Sequence, residues 1–296
     1  MKVIRADVCG YCMGVQRAVK IAQRETLEKK TKRVFSMGPL IHNPQALEVL
    51  RSEGLEILNL DTIPQDLRDS TVVIRAHGIA PQVEAVLKSR GGRIVDATCP
   101  RVHVSQKKGR TLEAEGYTIF IAGDRDHGEI EGLVGYVPSA VVVKNPEEAR
   151  EAALELQKKT PKGGVVGAGG PDMPVALLGQ TTLSREEYDS IAVAIKRVFP
   201  QLKVIDTICD ATKDRQAALK ELCQRVSAVV VVGGKNSANT KRLYTIALEE
   251  GKPAWFVERP EEIPSDISRY SVVGLTAGAS TPTEVIDQVQ SYLESL

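Results

Sequence analysis

Short runs rich in Val and Ile, such as Val72-Val-Ile, Ile119-Phe-Ile-Ala and Val229-Val-Val-Val, recur along most of the chain. Each is followed by a glycine or small polar cluster, and then by a stretch in which apolar residues return every three or four positions. Runs that are apolar at successive positions predict strands buried on both faces, and helical stretches between them predict parallel strands joined by crossovers. The predicted fold class is therefore α/β. The final stretch, Thr283 to Leu296, carries Val285, Ile286, Val289 and Leu293 at helical spacing and is expected to be packing surface.

The junctions after the strands are repetitive. One places a single cysteine after a short strand and before a helix, at Cys12, at Cys99 in Ile94-Val-Asp-Ala-Thr-Cys-Pro and at Cys209 in Val204-Ile-Asp-Thr-Ile-Cys-Asp. A second ends strands in glycine and a polar cluster, with His42, then His127 and Glu129, then Ser237 and Asn239. A third ends them in small polar residues around His77, then Thr181, then Ser280. The order repeats three times, and the cysteine loops are spaced almost as the second-type loops are. Similarity at a long period predicts three copies of one α/β unit, placed at 1–98, 99–203 and 204–296. Any parallel α/β protein shows strand, loop and helix in succession, but three single cysteines at one equivalent junction exceed that background. Pro161-Lys-Gly-Gly and Ala168-Gly-Gly-Pro read as a surface excursion and not a phosphate cradle, because no Gly-Lys-Ser/Thr follows.

Length alone, 296 residues, suggests about two domains, so the repeats raise the expected number to three. Lys+Arg 39 against Asp+Glu 38 leaves a formal charge of +1 with no polybasic block, which argues against nucleic acid or an anionic membrane surface as partner. No apolar run approaches bilayer-spanning length, and the start, Lys2 to Val8, is strand-like with no apolar signal segment, so a cytoplasmic protein is expected. Five thinly spread cysteines, an odd number, do not make a disulfide framework.

In parallel α/β units ligands gather at the carboxyl ends of strands. If three units pack around a pseudo-threefold centre, Cys12, Cys99 and Cys209 meet there. Three thiolates suit zinc with a fourth ligand, or a [4Fe-4S] cluster that leaves one iron open to substrate; widely separated single cysteines favour the cluster. Cys9 is read as a buried thiol in preference to a redox partner of Cys12, and Cys223, beside Leu219 and Leu222, as core. His42, His77 and His127, joined by Ser237, Asn239 and Ser280, look like donors converging on an anion, and such groups at helix N-termini can hold a diphosphate without a lysine cluster. Glu129 is either a helix N-terminal cap or an acid that delivers protons, with the Thr181 hydroxyl as relay. His103 is read as a solvated or core residue.

Gly10-Tyr-Cys12-Met-Gly-Val-Gln-Arg, Ile41-His42-Asn, Ala76-His77-Gly, Asp96-Ala-Thr-Cys99-Pro, His127-Gly-Glu129-Ile-Glu-Gly, Gln180-Thr181-Thr-Leu-Ser, Cys209-Asp-Ala-Thr, Lys235-Asn-Ser237-Ala-Asn239 and Thr276-Ala-Gly-Ala-Ser280 occur in one order across nearly the whole chain. Together they resemble the 4-hydroxy-3-methylbut-2-enyl diphosphate reductases of the LytB family. The resemblance implies a trefoil of three α/β units around one [4Fe-4S] cluster ligated by Cys12, Cys99 and Cys209, with a diphosphate held by His42, His77, His127, Ser237, Asn239 and Ser280. It implies protonation through Glu129 and Thr181, with His127 beside them, and isopentenyl and dimethylallyl diphosphate as products. No Gly-rich nucleotide fingerprint is present, so an external ferredoxin or flavodoxin is the implied electron donor. The chain departs at Ala238, where the family usually has a second serine. Two other readings stand beside this one: another three-cysteine iron–sulfur enzyme of the quinolinate synthase type, and a non-catalytic zinc-stapled module that binds phosphorylated ligands.

Overall fold

The computed structural model describes residues 1–159 and 173–296, so the Gly- and Pro-rich stretch around Pro161 and Ala168 lies outside the described residues. The described residues form three four-stranded sheets, all parallel, with helices between the strands. The chain divides into two compact units, one of residues 1–76, 90–97 and 210–296 and one of residues 77–89 and 98–209.

The first unit holds two sheets. One comprises β2 (Arg33–Met37), β3 (Leu55–Leu58), β4 (Ser70–Ile74) and β5 (Arg93–Asp96) in the order β3-β2-β4-β5. Helices α1 (Met13–Glu28) and α2 (Pro44–Ser52) contribute Ala18, Ala22, Ala46, Leu47 and Leu50 to its core. The other comprises β1 (Lys2–Arg5), β10 (Ala228–Val232), β11 (Ala254–Val257) and β12 (Val272–Ala277) in the order β1-β12-β10-β11. Its central strand is a continuous valine run because both faces are covered. Val229 and Val231 pack with Leu219, Leu222 and Leu243 of α8 (Asp210–Cys223) and α9 (Ala238–Glu249). Val230 and Val232 pack with Val285, Ile286 and Val289 of α10 (Thr283–Ser295), the packing face expected for that helix.

The second unit holds one sheet, β6 (Thr118–Ala122), β7 (Val141–Val143), β8 (Val175–Gly179) and β9 (Lys203–Val204), in the order β7-β6-β8-β9. Phe120 and Leu177 face α6 (Pro146–Lys159) and α7 (Arg185–Lys196). Ile119, Ile121 and Leu178 face α4 (Pro100–Ala114) and α5 (Gly128–Tyr136), and α3 (Pro81–Ser89) lies against α5.

Strand order exposes the repeat. In each sheet the first strand of a pass sits between the second and third, and a further strand closes the far edge. That closing strand is β5, β9 and, for the sheet of β10 to β12, β1, which pairs Lys2 to Arg5 with Val272 to Leu275. Every strand that precedes a repeated cysteine therefore closes a sheet. The residues 1–98 of the first sequence pass thus begin with a strand whose hydrogen-bonding partner lies in the third sheet. Among the described residues, no helix is long and apolar enough to cross a membrane.

Candidate functional site

The three repeated cysteines share one local setting. Cys12 is the N-cap of α1, its Sγ accepting from the Val15 N–H at 3.5 Å. Cys99 is the N-cap of α4, with Pro100 at the first helical position, and Cys209 immediately precedes α8. All three are half-buried and none is in a disulfide. A helix N-terminus presents unpaired N–H groups and the positive end of the helix dipole, which favour anionic sulfur. Each of the three is a thiol of the kind that ligates iron–sulfur clusters, and the same local setting recurs in all three repeats. The other two cysteines differ. Burial raises the pKa of both Cys9, packed against the β12–α10 core, and Cys223, fully enclosed between α8 and its sheet, so each stays a neutral thiol.

In the first unit, His42 precedes Asn43, the N-cap of α2, whose side chain accepts from the Ala46 N–H at 2.9 Å. Ser237 caps α9: its Oγ accepts from the Thr240 N–H at 3.2 Å, which leaves its own proton to donate outward. Asn239, in the same first turn, is 5% exposed, and both its amide nitrogen and its amide oxygen lack partners. Buried amides are normally satisfied, so an unpartnered one in the first turn of a helix leaves an NH₂ donor available beside the helix N–H groups. Ser280 joins this group in a different way: its hydroxyl donates to the His42 carbonyl at 2.9 Å, so its proton is engaged.

In the second unit, the His77 and His127 rings meet edge to face, 5.2 Å between centroids. Their approach depends on Gly135, where a Cβ would crowd that of Ala80 at 2.3 Å, so only glycine lets the segment after His77 run against α5. His127 caps α5, its Nδ1 accepting from the Glu129 N–H at 3.2 Å, which leaves Nε2 to carry the proton of the neutral ring.

Glu129 lies in the first turn of α5, whose N-cap is His127. Only 2% exposed, it accepts from the Thr181 N–H at Oε1 and from the Thr181 hydroxyl at Oε2, both at 2.7 Å. Thr181 is itself tied to the cysteine set, because the Cys209 N–H donates to its carbonyl at 3.0 Å. Glu129, Thr181 and Cys209 are thus consecutive links of one hydrogen-bonded chain. His103, by contrast, is an exposed residue of α4 whose Nδ1 meets Gln106 at 3.2 Å.

One residue near the cysteines carries no signal in the sequence. Arg215 of α8 is buried and donates to the carbonyl of Gly10, two residues before Cys12. A lone arginine in a polar helical stretch ordinarily reads as a solvated face, and nothing in its spacing betrays burial.

Comparison with known proteins sharpens what this arrangement is. Residues 3–294 match the family described as LytB protein. A 4-hydroxy-3-methylbut-2-enyl diphosphate reductase of Treponema denticola is 44% identical over 300 residues, covering 99% of each chain. A solved (E)-4-hydroxy-3-methyl-but-2-enyl diphosphate reductase, described as the terminal enzyme of the non-mevalonate pathway, aligns over 100% of both chains at 34% identity with a TM-score of 0.68. The corresponding structure from Plasmodium falciparum, 25% identical, gives a TM-score of 0.86 over 100% of this chain and 87% of its own.

Proposed function

The chain belongs to the LytB family, and from that membership we infer that it is an oxidoreductase acting on 4-hydroxy-3-methylbut-2-enyl diphosphate, at the terminal step of the non-mevalonate route to isoprenoids. The observation that carries the reading is the chain Glu129–Thr181–Cys209, which joins a buried acid, through Thr181, to the backbone N–H of one of the repeated cysteines. The reaction replaces a carbon–oxygen bond by a carbon–hydrogen bond: two electrons and two protons enter, and the hydroxyl leaves as water. The products are isopentenyl and dimethylallyl diphosphate, according to which end of the allylic system takes the proton.

Cys12, Cys99 and Cys209 would hold a [4Fe-4S] cluster. With one iron left open to substrate, such a cluster supplies a Lewis acid and single electrons. Everything else falls to the protein. Ser237 and Asn239 offer a hydroxyl and an amide to the diphosphate at the start of α9, and His42 adds its ring from the start of α2. His127, its Nε2 proton directed away from its own helix, and His77 beside it extend the same donor set. Ser280 joins by releasing the His42 carbonyl. Glu129 holds or gives the proton, and the Thr181 hydroxyl, already on Oε2, is the group through which it passes. With no nucleotide-binding fingerprint in the chain, the electrons come from a separate ferredoxin- or flavodoxin-type protein.

Anaerobic purification tests this. Brown protein with equimolar iron and sulfide, consuming the substrate when given a reduced dye, is the expected result; colourless protein with stoichiometric zinc overturns it. A finer expectation concerns Ala238, a buried residue in the first turn of α9 between Ser237 and Asn239. Ala238→Ser adds one neutral donor, so KM for the diphosphate should fall about 2- to 10-fold. A KM that rises counts against the placing of the diphosphate at this helix.

A further inference from the structure

Arg215 is 3% exposed, yet its guanidinium meets no carboxylate among the described residues. Nη1 donates to the Ala211 carbonyl of its own helix at 2.7 Å, Nη2 donates to the Gly10 carbonyl at 2.6 Å, and Nε has no partner. A buried cation facing only neutral dipoles is costly, and one with a free N–H more so. Lysine or histidine in this position could escape by losing a proton; a guanidinium cannot. Its charge is therefore left for an anion that the polypeptide does not itself provide nearby.

The place where the charge is held narrows the choice. Gly10 adopts φ +77°, and a Cβ there would press on Ile286 at 3.0 Å and on the Thr281 carbonyl at 3.3 Å, so the loop conformation that aims its carbonyl at Arg215 requires glycine. Two residues on, the Cys12 N–H donates to the Ala279 carbonyl at 3.1 Å. The Cys12 loop is thus gripped at both ends, once by a neutral carbonyl and once by a buried positive charge. Three thiolate ligands make a [4Fe-4S] cluster a net anion, and each electron added increases its negative charge.

We propose that Arg215 is a positioning residue of the redox site: it fixes the Cys12 loop through the Gly10 carbonyl and serves as the internal counter-cation of the cluster, easing its reduction. This rests on the assignment of the cluster to Cys12, Cys99 and Cys209.

The test compares wild type with Arg215→Met, Arg215→Gln and Arg215→Lys, reconstituted anaerobically. Iron and sulfide in the wild type are measured first; a wild type that takes up no cluster sinks the cluster assignment, whereas this inference is judged on loaded protein. Two readouts then separate a charge role from a merely structural one. In a spectroelectrochemical titration, the Met and Gln variants should shift the reduction potential to more negative values while Lys stays near wild type. In thermal unfolding, Met should lower Tm more in the loaded than in the cluster-free protein, because in the latter the uncompensated charge is itself destabilising. Turnover should drop about 10- to 100-fold, the range seen when a partner of a metal ligand is removed. An unchanged potential with equal Tm losses in loaded and cluster-free protein overturns the proposal. Should the Met variant not fold, Gln, which keeps a donor for Gly10 without the charge, carries the same comparison.

Discussion

Glu129→Gln is expected to keep its cluster and its substrate affinity and to turn over about 10²- to 10⁴-fold more slowly, the range associated with loss of a general acid. Both carboxylate oxygens are used as acceptors, one for the Thr181 N–H and one for the Thr181 hydroxyl. A glutamine amide can keep its oxygen on the Thr181 N–H and donate from its NH₂ to the Thr181 hydroxyl oxygen, so the contacts survive with one bond reversed, but the amide has no acidic proton to deliver. The loss should fall on kcat and leave KM near its wild-type value, because Glu129 is no part of the diphosphate donor set. Anaerobic steady-state kinetics together with the visible spectrum of the loaded protein separate the outcomes. A near-normal kcat removes Glu129 from proton transfer. A missing spectrum would instead give it a structural role, exerted through Thr181 on the Cys209 backbone.

The second large effect belongs to the cysteines, which should sort into two classes. Cys209→Ser, like the same change at Cys12 or Cys99, should purify with little iron and lose more than the roughly 10- to 100-fold that accompanies removal of a ligand's partner. Cys9→Ser and Cys223→Ser should retain iron and sulfide at wild-type ratios. Cys223→Ser should be less stable, by about 1–3 kcal/mol, since it buries a hydroxyl among Leu219, Leu222 and Val226. Metal and sulfide analysis of the five variants tests the division, and a Cys9 variant without iron would reassign the ligands.

Much of the fold and of the candidate site is legible in the residues alone. Val229 to Val232 must be a strand covered on both faces, and Cys99 before Pro100 must start a helix. Where legibility stops, the cause is tertiary. Val3 and Ile4 identify a strand but cannot say which sheet it joins, because pairing is chosen by partners hundreds of residues away. β9 has only two residues, too few for any period to register. The engagement of the Ser280 hydroxyl with the His42 carbonyl spans 238 positions and involves a backbone atom, which no motif encodes. The burial of Arg215 is of the same kind: its helix has charged neighbours on other faces, and only packing against the Gly10 loop decides which charge is enclosed.

The pairing of β1 with β12 sets an order of events during biosynthesis. β1 is the first of the described strands to leave the ribosome and β12 the last, so Lys2 to Arg5 stays without its neighbour until residues 272–275 have been made. Over that interval an apolar strand is exposed on the nascent chain, an edge open to wrong pairing. The groups that grip the Cys12 loop, Arg215 and the Ala279 carbonyl, also arrive late. Cys12, translated early, is thus among the last residues to find its surroundings.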